Sequence, residues 1–277
     1  MDSVLISAEW LQQHSHDPNL ILLDASVKKV VGMTPIKYDS FTCIPNSLKC
    51  DLDNAFHLEK SVQPHTMPTA EQFAHQAKQL GINNNSLVVI YDNQGIYSSP
   101  RAWWMFNSMG IKNVYVLDGG LPAWVNLRLP TSTQYKTADV TGNVEAKINQ
   151  GLVCDKHLVL KASNNQLAQI IDARSAGRFN ATAPEPRPGL RSGHIPHSIN
   201  LPFAQLLENG SYKTKTELEG IFDLLKLDKT QPVIVSCGSG MTACIILLAA
   251  YQLGFERLAL YDGSWSEWGA DSQLPIE

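Results

Sequence analysis

Two tandem α/β domains, each a parallel sheet flanked by helices, are what the 277-residue sequence predicts. Three observations carry this: an internal repeat, an alternation of short apolar runs with helical patterns inside each copy, and the composition of an ordinary globular chain. The repeat is the strongest, because fixed-period self-similarity sets the architecture before any local reading. Leu22 to Ser26 answers Ile170 to Ser175 through Asp24 and Asp172, and Ile44-Pro45-Asn46-Ser47 answers Ile195-Pro196-His197-Ser198. Val88 to Asp92 answers Val233 to Cys237, and Leu117-Asp118-Gly119-Gly120 with Trp124 answers Tyr261-Asp262-Gly263-Ser264 with Trp268. Subtracting matched positions gives offsets of 148, 151, 145 and 144 residues in one order, so the copies are homologous. The first domain is expected at 1–130, a linker at 131–149 and the second domain at 150–277.

Within the first copy, the apolar runs 20–23, 87–91 and 114–117 read as strands; within the second, 168–171, 233–236 and 258–261 do. Between them Ala70, Phe73, Ala77 and Leu80 form one helical stripe, started by Pro68 and Thr69 and stopped by Gly81. Residues 217–225 play the same part in the second copy, and 243–253 is long and apolar enough for a buried helix. Strands alternating with helices imply a parallel sheet covered on both faces, with functional loops at the carboxyl ends of the strands. The stretch 131–149 is rich in Thr, Gln, Lys and Asn and lacks either period, hence its reading as a linker. Residues 28–40 form an excursion after the first strand. Their counterpart, 179–192, holds three prolines that fix an extended loop.

The bulk properties exclude several classes. A hydrophobic fraction of 44 % and a charged fraction of 17 % are ordinary for a globular chain, and a net charge of −4 with a pI near 6.1 gives no footprint for nucleic acid or an anionic membrane. The first residues lack a basic segment followed by an apolar one, and no apolar run reaches membrane-spanning length. Five cysteines, an odd number without a Cys-x-x-Cys pair, point to thiols in a reducing compartment, here the cytoplasm, and away from a disulfide framework or a zinc site.

The chemistry concentrates at Cys237-Gly238-Ser239-Gly240-Met241-Thr242, between the strand run 233–236 and the helix run 243–253. A strand–loop–helix of this kind aims backbone N–H groups into the loop, where they and the helix dipole favour an anion such as a thiolate. A buried structural cysteine at a strand end is the competing reading.

Taken together, Asp172-Ala-Arg-Ser175, Pro184-Glu-Pro-Arg187, Gly193-His-Ile-Pro196, the cysteine loop and the closing Asp262-Gly-x-x-x-x-Trp268 resemble the tandem-domain rhodanese superfamily, and the loop resembles its 3-mercaptopyruvate sulfurtransferase branch. The resemblance covers essentially the whole chain and implies two rhodanese-like domains, of which only the second keeps the cysteine; Asp92 stands at the matching place in the first. It implies a sulfurtransferase in which Cys237 takes sulfur from a small-molecule donor, holds it as a persulfide and passes it to a thiol such as thioredoxin, or to cyanide, with no metal or organic cofactor.

The residues fit that chemistry. A persulfide needs several donors around its outer sulfur, and all six N–H groups of residues 237–242 are expected to form a bowl. Gly238 and Gly240 let the backbone approach, and Met241 is expected to pack behind it. Cys-based phosphatases need an arginine six residues after the cysteine, where this chain has Ala243. The loop carries no Lys or Arg, which disfavours the thiosulfate dianion and suits mercaptopyruvate. A thiosulfate:cyanide sulfurtransferase and a non-catalytic sulfur-carrying module remain the alternatives. The resemblance further implies that Arg178 and Arg187 bind the donor's carboxylate and ketone, and that Ser239, His65 and Asp53 form a triad that protonates the leaving group. Arg191 lies between motifs, Arg174 and Arg101 read as structural ion-pair residues, His194 as a loop holder, and Cys244 as a buried helix cysteine. Trp103, Trp104, Trp124, Trp265 and Trp268 read as packing.

Overall fold

The computed structural model describes residues 3–277 and divides into two compact units. Among the described residues one comprises 3–59, 67–148 and 207–212, the other 60–66, 149–206 and 213–277.

In the first unit the elements run β1 (Leu5–Ile6), α1 (Ala8–His14), β2 (Leu20–Asp24), β3 (Leu48–Lys49), α2 (Ala70–Gln79), β4 (Leu87–Tyr91), α3 (Ser99–Ser108), β5 (Val114–Leu117) and α4 (Gly120–Asn126). The five strands form one sheet in the order β1-β5-β4-β2-β3, with every pair parallel. The second unit runs β6 (Val153–Cys154), α5 (Lys156–Asn165), β7 (Gln169–Asp172), α6 (Ala176–Phe179) and β8 (Ile199–Asn200). A hairpin of β9 (Leu207–Glu208) and β10 (Ser211–Tyr212), which belongs to the first unit, precedes α7 (Lys215–Leu224), β11 (Val233–Ser236), α8 (Ala243–Gln252), β12 (Leu258–Tyr261) and α9 (Ser264–Trp268). Its sheet, β6-β12-β11-β7-β8, is all parallel and repeats the first order strand for strand.

The three long apolar runs of each copy are the three central strands, and the two-residue edge strands are too short to show a period in sequence. Parallel strands covered on both faces read as continuous apolar runs, and all four residues of β11 are buried. Helix α2 begins with a capping box, in which Thr69 Oγ1 accepts from the Gln72 N–H and Gln72 Oε1 accepts from the Thr69 N–H. Helix α8 is buried from Ala243 through Ala250, so it is apolar on every side. Truncating Ile246 or Leu247 there would cost about 2–5 kcal/mol. The five tryptophans assigned to packing are all at most 4 % exposed.

The period-free stretch 131–148 lies on the first unit as a strap. Lys136, Gly142, Val144 and Lys147 donate their N–H groups to the carbonyls of Ser47, Lys78, Ile82 and Met109 at 2.8–3.1 Å. Those backbone bonds hold the segment without a buried apolar face, which is why neither period is visible.

Candidate active site

Cys237 follows directly on the central strand β11, at the carboxyl edge where α/β sheets place their sites. It is 2 % exposed. The loop after it is clamped by the start of α9. The N–H groups of Cys237 and Gly240 both donate to Ser264 Oγ (3.1 and 3.0 Å), and that hydroxyl donates to the Tyr261 carbonyl (2.9 Å). The N–H groups of Trp265 and Ser266 donate to the carbonyls of Cys237 and Gly238 at 2.9 and 3.0 Å. This corrects the expectation of a six-donor bowl, because two of the six are spent on Ser264. The N–H groups of Gly238, Ser239, Met241 and Thr242 have no acceptor among the described residues. The loop therefore leaves four N–H groups without a protein acceptor between Cys237 and the N-terminus of the ten-residue α8. Gly240 takes φ of 72°, which a side chain would strain. Met241 and Thr242 are both buried, at 4 and 8 % exposure.

The cations arrive from outside the loop. A Cβ on Gly238 would lie 3.0 Å from Arg178 Nη2 and 3.8 Å from Arg187 Nη1, so both guanidinium groups stand over the residue next to Cys237. Position 238 must stay small because Arg178 fills the space a side chain would take. Arg178 is held by Glu185, to whose oxygens it donates from Nε (3.2 Å) and Nη2 (2.6 Å). Glu185 also accepts from Arg174 Nη1 (2.7 Å). Arg174 is fully buried, forks onto both oxygens of Asp172 at 2.6–3.1 Å, donates to the Gly193 carbonyl and stacks 4.1 Å over Trp265. Arg187 Nη1 donates to Ser266 Oγ (3.3 Å), whose own hydroxyl is bonded to the Gly238 carbonyl.

His65 belongs to the same unit through the segment 60–66. Its backbone is left-handed (φ 60°), and Nδ1 lies 3.3 Å from Ser239 Oγ, which is 7 % exposed. Asp53 belongs to the first unit, where its Oδ2 accepts the Lys28 N–H at 3.1 Å. The remaining candidates are structural. Arg191 donates to the carbonyls of Gly269, Leu274, Trp268 and Asp271, tying down the tail of the chain. His194 stacks on Phe179 at 3.7 Å with Nδ1 2.9 Å from the Phe179 carbonyl, as expected of a loop holder. Cys244 is fully buried, its thiol donating to the Gly240 carbonyl at 3.3 Å.

Sequence reasoning missed Glu185, Ser264 and Ser266. Glu185 stood in a quoted motif without a role. Ser264 was signalled only by Asp-Gly-Ser in one copy against Asp-Gly-Gly in the other.

The loop after β4 in the first unit is built differently. Asp92 is fully buried, and its carboxylate collects the loop's donors itself. Oδ1 accepts the Gln94 N–H (2.9 Å); Oδ2 accepts the N–H groups of Tyr97, Ser98 and Ser99 (2.9, 2.9 and 2.8 Å) and the Ser99 hydroxyl (2.7 Å). Burial pushes the Asp92 carboxyl above the usual carboxylate range, against the pull of those donors.

Comparison with known proteins agrees with this two-copy geometry. The family model for the rhodanese-like domain matches residues 7–127 and 155–271. The 3-mercaptopyruvate sulfurtransferase of Escherichia coli K12 is 39 % identical over 98 % of this chain and 97 % of its own length, and the mouse protein of that name is 38 % identical over 95 % and 91 %. The crystal structure of the 3-mercaptopyruvate sulfotransferase SseA from Escherichia coli superposes with a TM-score of 0.83 at 36 % identity, covering 96 % of this chain and all of that one. With both copies matched and the likeness running nearly end to end, the chain belongs to the rhodanese family, as a two-domain member.

Proposed function

We propose that the chain is a 3-mercaptopyruvate sulfurtransferase working through a persulfide on Cys237. The observation that carries this is the Cys237 loop: four N–H groups without a protein acceptor follow the cysteine, and Arg178 and Arg187 stand over Gly238. The Cys237 thiolate attacks the donor sulfur, an S–S bond forms, and the carbon–sulfur bond breaks. Pyruvate leaves as its enolate and takes up the proton given by the donor thiol, leaving Cys237–S–S⁻. An acceptor thiolate then attacks the outer sulfur and returns Cys237 to the thiolate. The loop's N–H groups hold the charge of the persulfide between the two steps.

Ser239 and His65, 3.3 Å apart, are the groups we assign to carrying that proton to the enolate carbon. The resemblance adds Asp53 as the carboxylate of that relay, and Asp53→Asn tests it. The second domain, 150–277, is the catalytic one in this reading and the first, 1–130, the inactive one. Thioredoxin is the proposed physiological acceptor and the cytoplasm the proposed compartment. All five cysteines are buried free thiols, and no helix among the described residues is long and apolar enough to cross a membrane.

One relative favours a second reading: the rat thiosulfate sulfurtransferase is 35 % identical over 95 % of this chain. Comparing kcat/KM for the two donors, with cyanide as acceptor, separates them. Mercaptopyruvate is expected to win, and Arg187→Ala to lose mercaptopyruvate turnover while keeping some thiosulfate turnover; thiosulfate winning by more than about tenfold, some 1.4 kcal/mol in transition-state stabilisation, would reverse the choice.

A further inference from the structure

Cys237 is 2 % exposed, so an acceptor thiol has to come down to its sulfur past the segments that border the loop. Two segments of the second unit border it at adjacent residues. Residues 60–66 reach Ser239, with His65 Nδ1 3.3 Å from its Oγ. Residues 181–190 reach Gly238, with Arg187 Nη1 3.8 Å from where a Cβ would stand. What these segments turn to solvent is largely apolar. Val62, on the same turn as His65, is 97 % exposed, and Pro184, Pro186 and Pro188 are exposed around Glu185 and Arg187. The turn that carries Val62 is braced: the Gln63 N–H donates to Ser61 Oγ at 3.1 Å, and Ser61 Oγ lies 2.7 Å from Thr66 Oγ1. Charge at the rim is sparse and of one sign. Lys60 is exposed and Arg187 partly so, whereas the acid of the two segments, Glu185, has its side chain 2 % exposed.

We propose that Val62 and the three prolines form the docking surface for a protein acceptor, one that carries its reactive thiol on a protruding turn with apolar flanks. A protein that delivers a thiolate to the outer sulfur of a Cys237 persulfide brings its own surface down onto this rim. An aliphatic side chain standing in water gains from being covered. Prolines have no backbone φ left to freeze, so a partner packs on them at little entropic cost. Lys60 and Arg187 favour an incoming thiolate, and no exposed acid of these segments repels it. A small acceptor such as cyanide needs no contact with either segment. The surface therefore acts on the second half of the cycle, and for protein acceptors alone. This docking surface rests on the Cys237 persulfide and the thioredoxin acceptor proposed above.

The test compares reduced thioredoxin with cyanide as acceptor at saturating 3-mercaptopyruvate. Val62→Asp puts a carboxylate on the rim at a side chain that is almost wholly in solvent. It is expected to lower kcat/KM for thioredoxin about tenfold or more and to leave kcat/KM for cyanide within about twofold of the wild type. Val62→Leu, which keeps an aliphatic side chain, should stay near the wild type with both acceptors. Leu224→Asp is the control. That leucine is 84 % exposed, but it ends α7 at the amino edge of the sheet, the edge opposite Cys237. Its substitution should move neither acceptor. An unmoved thioredoxin rate in Val62→Asp, an equal loss with both acceptors, or the same loss in Leu224→Asp overturns the docking surface. A wild type that gives sulfur to cyanide and none to thioredoxin defeats the acceptor reading beneath it. A wild type that serves both, while Val62→Asp leaves thioredoxin turnover alone, defeats the docking surface only.

Discussion

The loops after β4 and β11 stand at matching places in two sheets of the same strand order, and they dispose of their backbone donors in opposite ways. In the first unit the donors close on Asp92, a carboxylate supplied by the loop's own first residue. In the second, Ser264 draws off two donors and the rest stay open beside Cys237. The position of Ser264 is Gly120 in the first copy, which has no hydroxyl to do the same. The segments after β2 and β7 diverge in parallel. Residues 31–38 lie over the first loop, with the N–H groups of Val31 and Ile36 donating to Tyr97 Oη and Gln94 Oε1, and Tyr38 Oη donating to the Asn93 carbonyl. The matching stretch of the second unit supplies Glu185 and Arg187 instead. One fold thus yields one loop whose donors are filled by its own carboxylate and another that leaves four of its donors without a protein acceptor.

The largest effect should follow from removing the sulfur. Cys237→Ser is expected to lower sulfur transfer by about a thousandfold or more in a cyanide assay. Adding Asp92→Cys to that variant should not restore it, since the first loop is covered; recovered turnover would break the comparison. Next comes Asp92→Ala, which strands five buried donors and should cost about 3–5 kcal/mol in denaturant titration of the whole chain. An effect below about 1 kcal/mol would mean the donors find other partners.

His65→Asn should lower kcat with mercaptopyruvate by about 10–100-fold at nearly constant KM, the mark of a group acting on the leaving enolate. Ser264→Ala frees the N–H groups of Cys237 and Gly240. It should cost about 2 kcal/mol of stability and slow persulfide formation by about tenfold.

The smallest effect is a pH dependence confined to the first unit. Burial pushes the Asp24 carboxyl above the usual carboxylate range, with like-charged Asp92 adding to it. Such a group costs nothing while protonated in both states and destabilises the fold as pH rises through its raised folded-state value. Stability of the first unit should therefore fall as pH climbs from the ordinary carboxylate range, and Asp24→Asn should flatten that slope in denaturation curves taken across pH.

Much of this was legible in the residues. The central strands and the long helices announced themselves because parallel strands buried on both faces are unbroken apolar runs and because Thr69 and Gly81 bracket α2. The two-residue edge strands were not, since nothing that short carries a period. At the site, the cysteine loop and both arginines were readable from motifs. The six-donor bowl was over-read because which N–H turns inward depends on a hydroxyl, Ser264, that the sequence places 27 residues away. The role of Glu185 was hidden for a related reason. An acidic residue in a proline-rich loop looks solvated until the fold sets it between Arg174 and Arg178.

The most direct test is to incubate the wild-type protein with 3-mercaptopyruvate, omit the acceptor, and map the added mass by peptide mass spectrometry under non-reducing conditions. One added sulfur, about 32 Da, is expected on the peptide bearing Cys237 and on none bearing Cys43, Cys50, Cys154 or Cys244, with one pyruvate released per sulfur bound. Pyruvate released without a labelled Cys237, or the sulfur on another cysteine, would contradict the claim that the Cys237 loop of the second domain is the sulfur carrier.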